Sequence, residues 1–165
     1  MVKQKRGTNM DRIPVIKRSG EILYIDRKSI KSYVGGFLFS QSDEHYFYVS
    51  DLKISSSGKR YRVEIALRDP HGKIFSGESE GPRTARNLLR LIGEAVTEAF
   101  NRAFHKYDEV SVDDIKETTL AGRRFVFAHL TFLKNGKENW RIGAAPLEKD
   151  LLQSIVLAVI DALIK

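Results

Sequence analysis

Val49-Ser50-Asp51-Leu52-Lys53 is answered 63 residues later by Val112-Asp113-Asp114-Ile115-Lys116, and this echo decides the reading of the fold. Downstream, Ser57-Gly58-Lys59-Arg60-Tyr61 aligns with Ala121-Gly122-Arg123-Arg124-Phe125 at an offset of 64, as if one residue were inserted. An alternating run follows in each copy: Tyr61, Val63, Ile65 and Leu67 in the first, Val126, Ala128, Leu130 and Phe132 in the second. Alternation of this kind marks strands with one buried face. Turn chemistry closes both runs. Asp69-Pro70-His71-Gly72 suits a type I turn, and Asn135-Gly136 supplies the two positive φ values of a type I′ hairpin. Each hairpin then leads through an aromatic, a Gly and a Pro (Phe75, Gly77, Pro82; Trp140, Gly143, Pro146) into an apolar-striped segment.

Those segments predict the two helices. Ala85, Leu88, Leu89, Ile92, Ala95, Val96, Ala99, Ala103 and Phe104 recur at helical spacing, with Arg83, Arg86, Arg90, Glu94, Glu98 and Arg102 on the other side. In the second copy Leu151, Leu152, Ile155, Val156, Val159, Ile160, Leu163 and Ile164 do the same. Between Leu151 and Ile164 only Gln153, Ser154 and Asp161 are polar. A helix that apolar is covered on more than one side, by the core of its own chain or by another subunit.

Each copy therefore reads strand, strand, strand, helix. The expected fold is α+β, two pseudo-symmetric repeats whose helices pack on antiparallel sheet. Residues 46–165 form the expected domain, with repeat one at 46–107 and repeat two at 108–165, preceded by an N-terminal extension, 1–45. Within the extension, Ile22 to Ile25 reads as a strand, and Ile30 to Phe39 as a short helix or a strand interrupted by Gly35 and Gly36.

The 165 residues fit one domain, 28 Lys and Arg stand against 21 Asp and Glu, and the net charge is +7. Cysteine is absent, which excludes disulfides, thiolate zinc sites and Cys nucleophiles. With no apolar run long enough to span a bilayer and no secretory leader at the start, the expectation is a cytoplasmic protein without a membrane partner. The charge is uneven. Residues 1–33 hold nine basic groups and three acids, whereas the rest holds 19 and 18. The excess thus describes an arm, either a solvated terminus or a basic tail that touches nucleic acid or an acidic partner through Lys3, Lys5 and Arg6.

At Gly77-Glu78-Ser79-Glu80-Gly81-Pro82-Arg83-Thr84-Ala85 the chain resembles the Gly-x-Gly-x-Gly-Pro-x-Asp-Ala signature of the C-terminal regulatory domain of 2-isopropylmalate synthase. Gly77, Gly81, Pro82 and Ala85 match; Ser79 stands for the middle Gly and Thr84 for the Asp. In the second copy, Gly143 followed by Asp150-Leu151-Leu152-Gln153-Ser154, Ala158 and Asp161 is similar to that family's Gly, Asn/Asp-Ile-Ile-Glu-Ala and alanine-centred helix. The resemblance covers about residues 48 to 164. It implies an allosteric, dimerising, non-catalytic module that binds an amino-acid-like or carboxylate ligand, with Gly77, Gly81, Pro82, Thr84, Gly143 and Asp150 as ligand-site residues. A (β/α)₈ barrel needs roughly 200 or more residues, so the catalytic part of that family does not fit in this chain.

The same residues support two readings without the family. Gly77 and Gly81 serve backbone geometry and Pro82 starts the helix, or the free N–H groups at the helix start, with Arg83 and Arg86, hold an anion. No cofactor is expected. His45, His71, His105 and His129 lack metal-ligand spacing, and no P-loop, dinucleotide fingerprint or nucleophile elbow occurs, so no enzymatic activity is expected. His105 reads as a dipole partner at the helix end, and Asp113, Asp114, Glu78 and Glu80 as solvated charge. The leading expectation is a homodimeric module for a small ligand or protein partner. Its rival is an RNA-binding protein: strands followed by a helix that starts with Arg83 and Arg86 also look like the second half of a double-stranded RNA-binding domain.

Overall fold

The structure is a computed structural model that describes the backbone over residues 12–16, 22–26, 38–42, 45–69, 71–147 and 150–164, and side-chain packing from Val49 onward. Three short strands come first: β1 (Arg12–Ile16), β2 (Ile22–Asp26) and β3 (Leu38–Ser42). The first repeat follows as β4 (His45–Ser57), β5 (Arg60–Arg68), β6 (Ile74–Pro82) and α1 (Ala85–Phe104). The second is β7 (Glu109–Leu120), β8 (Arg123–Lys134), β9 (Lys137–Pro146) and α2 (Leu151–Ile164). The fold is α+β, built from two strand-strand-strand-helix units. Each unit carries its own sheet. One has six strands in the order β2-β1-β3-β4-β5-β6, the other three in the order β7-β8-β9. Strand β2 covers the expected Ile22 to Ile25, β1 had no sequence signal, and residues 30–37 lie outside the described residues. Through β3, the strands of the N-terminal segment add to the edge of β4, where a parallel β1–β3 pair interrupts the antiparallel order.

Pairing corrects the repeat arithmetic. Val49 pairs with Leu67 and Val112 with Leu130, then each first strand has a bulge, between Val49 and Asp51 and between Val112 and Asp114. Ser57 pairs with Arg60 and Leu120 with Arg123 across two-residue turns. The offset therefore stays at 63 through the whole first hairpin, and no residue is inserted. Val63, Ile65 and Leu67 correspond to Val126, Ala128 and Leu130, all buried. The difference lies in the second hairpin: Ile65 faces Gly77 and Ala128 faces Gly143, so the third strands are offset by 66. Copy one turns through the Asp69–Lys73 loop, where Asp69 Oδ1 accepts from the His71 and Lys73 amides. Copy two extends its strands to a tight Asn135-Gly136 turn, whose φ values of 52° and 70° are those of type I′.

The helices interlock the units. Helix α1 lies on β5 and β6, touches α2, and also reaches β7 of the other sheet, where Gly93 lets Ile115 and Val112 approach its backbone. The middle of its stripe, Ile92, Ala95, Val96 and Ala99, is buried as expected together with Leu91 and Phe100, whereas Ala85 is exposed and Leu88, Leu89, Ala103 and Phe104 are half-buried; both helices contribute to one continuous core with the inner faces of both sheets. The apolar character of α2 is explained within the chain: Ile155, Val156, Val159, Ile160 and Leu163 are fully or almost fully buried. Tyr107 closes the far end, its hydroxyl donating to the Leu163 carbonyl at 2.8 Å while Arg141 donates to the Tyr107 hydroxyl.

Candidate functional site

The strand–helix junctions are the best-defined repeated feature, and they hold most of the residues singled out in the sequence. Gly77 lies under the turn of α1 that joins Ala95 O to Ala99 N; a Cβ on Gly77 would sit 2.0 Å from that oxygen and 2.6 Å from that nitrogen. Gly143 lies in the same way under α2, where the distances are 1.9 Å to Ala158 O and 2.5 Å to Ala162 N. Both glycines are needed because the helix backbone occupies the space of a side chain. One residue further on, the amide of Glu78 donates to Glu98 Oε2 at 2.6 Å, and the amide of Ala144 donates to Asp161 Oδ2 at 2.9 Å. Sequence reasoning missed this carboxylate role, although its signal is present: Ala95-Val-Thr-Glu-Ala99 and Ala158-Val-Ile-Asp-Ala162 are one motif at an offset of 63. The physical consequence is edge protection. Strands β6 and β9 end their sheets, and a helix carboxylate takes an amide that a further strand would otherwise use.

The other residues expected at a ligand site also shape the helix starts. Gly81 is buried, with Asn87 Nδ2 and Leu91 against it. Pro82 is the last residue of β6 rather than the first of the helix, and Thr84 is the N-cap, its hydroxyl accepting from the Asn87 amide at 3.1 Å. In the second unit Asp150 Oδ1 accepts from the Leu152 amide at 2.9 Å. Gly77, Gly81, Pro82 and Thr84 thus share the β6–α1 junction, and Gly143 and Asp150 share the β9–α2 region. At the start of α1, Arg83 stacks over the Tyr61 ring and Arg86 extends into solvent 3.7 Å from Asp114. Lys3, Lys5 and Arg6 lie outside the described residues. At the other end of α1, His105 adopts φ 48°, and its amide closes the helix on Asn101 O.

Beside these junctions, an open groove of about 380 Å³ runs between β6 and β7 over α1, lined by Glu78, Glu80, Glu94 and Glu98 with Thr97 and Asn101. Its carboxylates are engaged: Glu78 with Arg62, Glu80 with Arg60, Glu94 with Arg90 and Glu98 with Arg102. The hydrogen bond to Glu78, with the charges of Glu78 and Glu64, holds the Arg62 guanidinium above its ordinary range. Among the described residues, no group of three or more His, Asp or Glu is placed to hold a metal ion. No helix of the described residues is long and apolar enough to cross a membrane.

The outward faces of the two sheets differ. On the first sheet Arg60, Arg62 and Glu64 alternate outward; Arg60 pairs with Glu80, and Arg62 with both Glu78 and Glu64. On the second, the positions equivalent to Arg62 and Glu64 are Phe125 and Phe127, with ring centroids 6.3 Å apart. Next to them His129 meets the edge of Trp140 at 5.7 Å, and Trp140 is 63% exposed. The signal for this aromatic face was in the sequence, but it emerges only when the repeat is aligned at 63 instead of 64.

Compared with known protein families and with curated proteins, the chain matches no family model and no curated protein.

Proposed function

We propose that the chain is a non-catalytic, cytoplasmic regulatory module: a homodimer that takes up a small amino-acid-like or carboxylate ligand, as its resemblance to the regulatory domain of 2-isopropylmalate synthase implies. The observation that carries this reading is the duplication of the strand–helix junction, with Gly77, Ala95, Glu98 and Ala99 repeated in Gly143, Ala158, Asp161 and Ala162. Such duplication builds two equivalent helix starts on one rigid core. Each capped start then offers different chemistry, guanidinium at Arg83 and Arg86 beside α1 and carboxylate at Asp150 beside α2. A ligand carboxylate suits the first, where the helix dipole also favours an anion, and at the second the Asp150 carboxylate attracts a ligand ammonium against that dipole.

The test is thermal unfolding of the full chain against a panel of amino acids and small mono- and dicarboxylates. A ligand present at a hundredfold excess over its Kd stabilises by about 2.7 kcal/mol, which raises Tm by roughly 5–10 °C in a chain of this size. Loss of that shift in Arg86→Ala or Asp150→Ala would assign the junction. No shift with any compound, together with a monomeric mass, overturns the reading. The RNA-binding alternative is favoured by Arg83, Arg86 and the N-terminal arm, and is opposed by the glutamates beside β6. Salt-dependent RNA binding that survives deletion of residues 1–20 would support it.

A further inference from the structure

We propose that the outward face of the β7-β8-β9 sheet is a docking surface for a second copy of this chain, paired face to face with strands running in opposite directions. The proposal supplies an interface for the dimer suggested above, and it does not depend on any ligand.

The first sheet is an internal control for what a solvent face looks like in this fold. At equivalent outward positions it carries Arg62, Glu64 and Glu78 in ion pairs, whereas the second carries Phe125, Phe127 and Ala144. The first hairpins pair alike in both sheets at an offset of 63, so like positions are compared, and the exposed Ile74 stands where the second sheet has Trp140. The substitution of charge by aromatic surface therefore needs a cause outside the monomer. Helix α2 is not that cause, because it covers the opposite, inner face through Gly143 and the core residues.

Charge identifies the occupant. Along the strand direction the face has an acidic end, Glu109 and Glu138, which flank Leu133, and a basic end, Lys116 beside Phe127 and Arg123 beyond it. A second copy turned about a twofold axis lying across the strands sets each acidic end on the other's basic end. The same operation, with the axis near His129, brings the large Trp140 over the partner's small Ala144, since the two lie on either side of Ile142 on β9; it also brings Asp113 near its own copy, each carboxylate held by Thr131 beside His129. Area is sufficient: strands of 12 residues at about 3.3 Å and three strands at about 4.8 Å give roughly 550 Å² per copy, or ~1,100 Å² in all, within reach of specific interfaces. Nucleic acid fits this face less well. The aromatics offer stacking, but Asp113 lies against His129 and Thr131, and Glu109 and Glu138 close one end, which repels phosphate.

Trp140 is the chain's only tryptophan, so the test reads the interface directly. Sedimentation velocity and tryptophan emission of the full chain are followed over increasing concentration. Dimer formation should appear with a blue shift and reduced acrylamide quenching. Trp140→Glu should weaken association about a hundredfold while leaving the Tm of the dissociated monomer, measured at low concentration, unchanged, because the side chain is mostly exposed in the monomer. Ile74→Glu changes the equivalent position on the first sheet, itself exposed, and should leave the dimer intact. Reversing the acidic end (Glu109→Lys with Glu138→Lys) should weaken association about tenfold or more, and adding Lys116→Glu with Arg123→Glu should restore it.

A chain that stays monomeric up to about 0.1 mM, a dimer indifferent to Trp140→Glu, or a fourfold reversal that restores nothing overturns the proposal. Single-stranded RNA that quenches Trp140 on a monomeric chain overturns it too, and assigns the face to bases. The two proposals fail separately. A dimer without a ligand-induced Tm shift removes the ligand reading alone, and a ligand shift on a monomer removes this one.

Discussion

Gly143→Ala adds one methyl group where the structure has no room and no flexible neighbour. The new Cβ would lie 1.9 Å from Ala158 O and 2.5 Å from Ala162 N, both backbone atoms of one helical turn. Ordinary carbon–oxygen contact needs about 3.3 Å, so α2 must lift from β9 by more than ~1 Å; a gap of that size forfeits up to about half of each dispersion well along the interface. Overpacking of this kind costs about 1–3 kcal/mol, and the lift also stretches the Ala144 amide off Asp161, a charge-assisted bond worth roughly 1.5–3 kcal/mol. The expected loss is about 3–5 kcal/mol, a large share of the 5–15 kcal/mol that holds a typical domain together.

Urea and thermal unfolding followed by circular dichroism measure the loss, which corresponds to a fall in Tm of roughly 8–15 °C. Gly77→Ala should behave alike, since its contacts are 2.0 and 2.6 Å with the matching helix atoms. Gly122→Ala is the control: it keeps φ at 74° but meets nothing within 4 Å, and it should cost only about 1–2 kcal/mol. Ala162→Gly added to Gly143→Ala should restore little, because the nearest contacts are backbone. A Gly143→Ala protein no less stable than Gly122→Ala, or one rescued fully by Ala162→Gly, would refute the reasoning.

Three other substitutions probe local terms. Thr84→Ala removes the hydroxyl that accepts from the Asn87 amide and should lower stability by about 1 kcal/mol, with Thr84→Ser near neutral, as read from urea midpoints. Ala121 holds φ at 50° in a two-residue turn, so Ala121→Gly should stabilise by about 0.5–1 kcal/mol and raise Tm by a few degrees. Arg62→Ala breaks exposed, solvent-screened pairs to Glu64 and Glu78 and should barely move the urea midpoint, with any difference shrinking further at high salt.

Helices α1 and α2 were legible because their apolar stripes are local and long, and the Asn135-Gly136 turn because its φ values select its residues. The site residues were legible by type and obscure by role. Thr84 and Asp150, expected at a ligand site, also accept helix amides; Pro82 reads as a helix start, but it still pairs with Arg60 in β6. Sequence spacing has no term for which backbone comes within 2 Å of Gly77. Glu98 and Asp161 are acceptors for strand amides, a role their sequence positions do not show, because a carboxylate on a helix is ordinarily solvent charge and only the nearness of an edge strand turns it into an acceptor.

By itself, then, the sequence determined the two units, their strand and helix order, and which residues of the two central strands share a face, since periodicity and turn chemistry act within a few residues. The tertiary structure decided the register between the copies, because a bulge at Ser50 or Asp113 shifts pairing without a sequence signature. It also decided the division into two sheets. Strand order depends on long-range pairing, and here helix carboxylates cap an amide on β6 and on β9. Finally, it placed Phe125, Phe127 and Trp140 outside the core, because alternation fixes which residues share a face, and only the position of the covering helix says which face meets water.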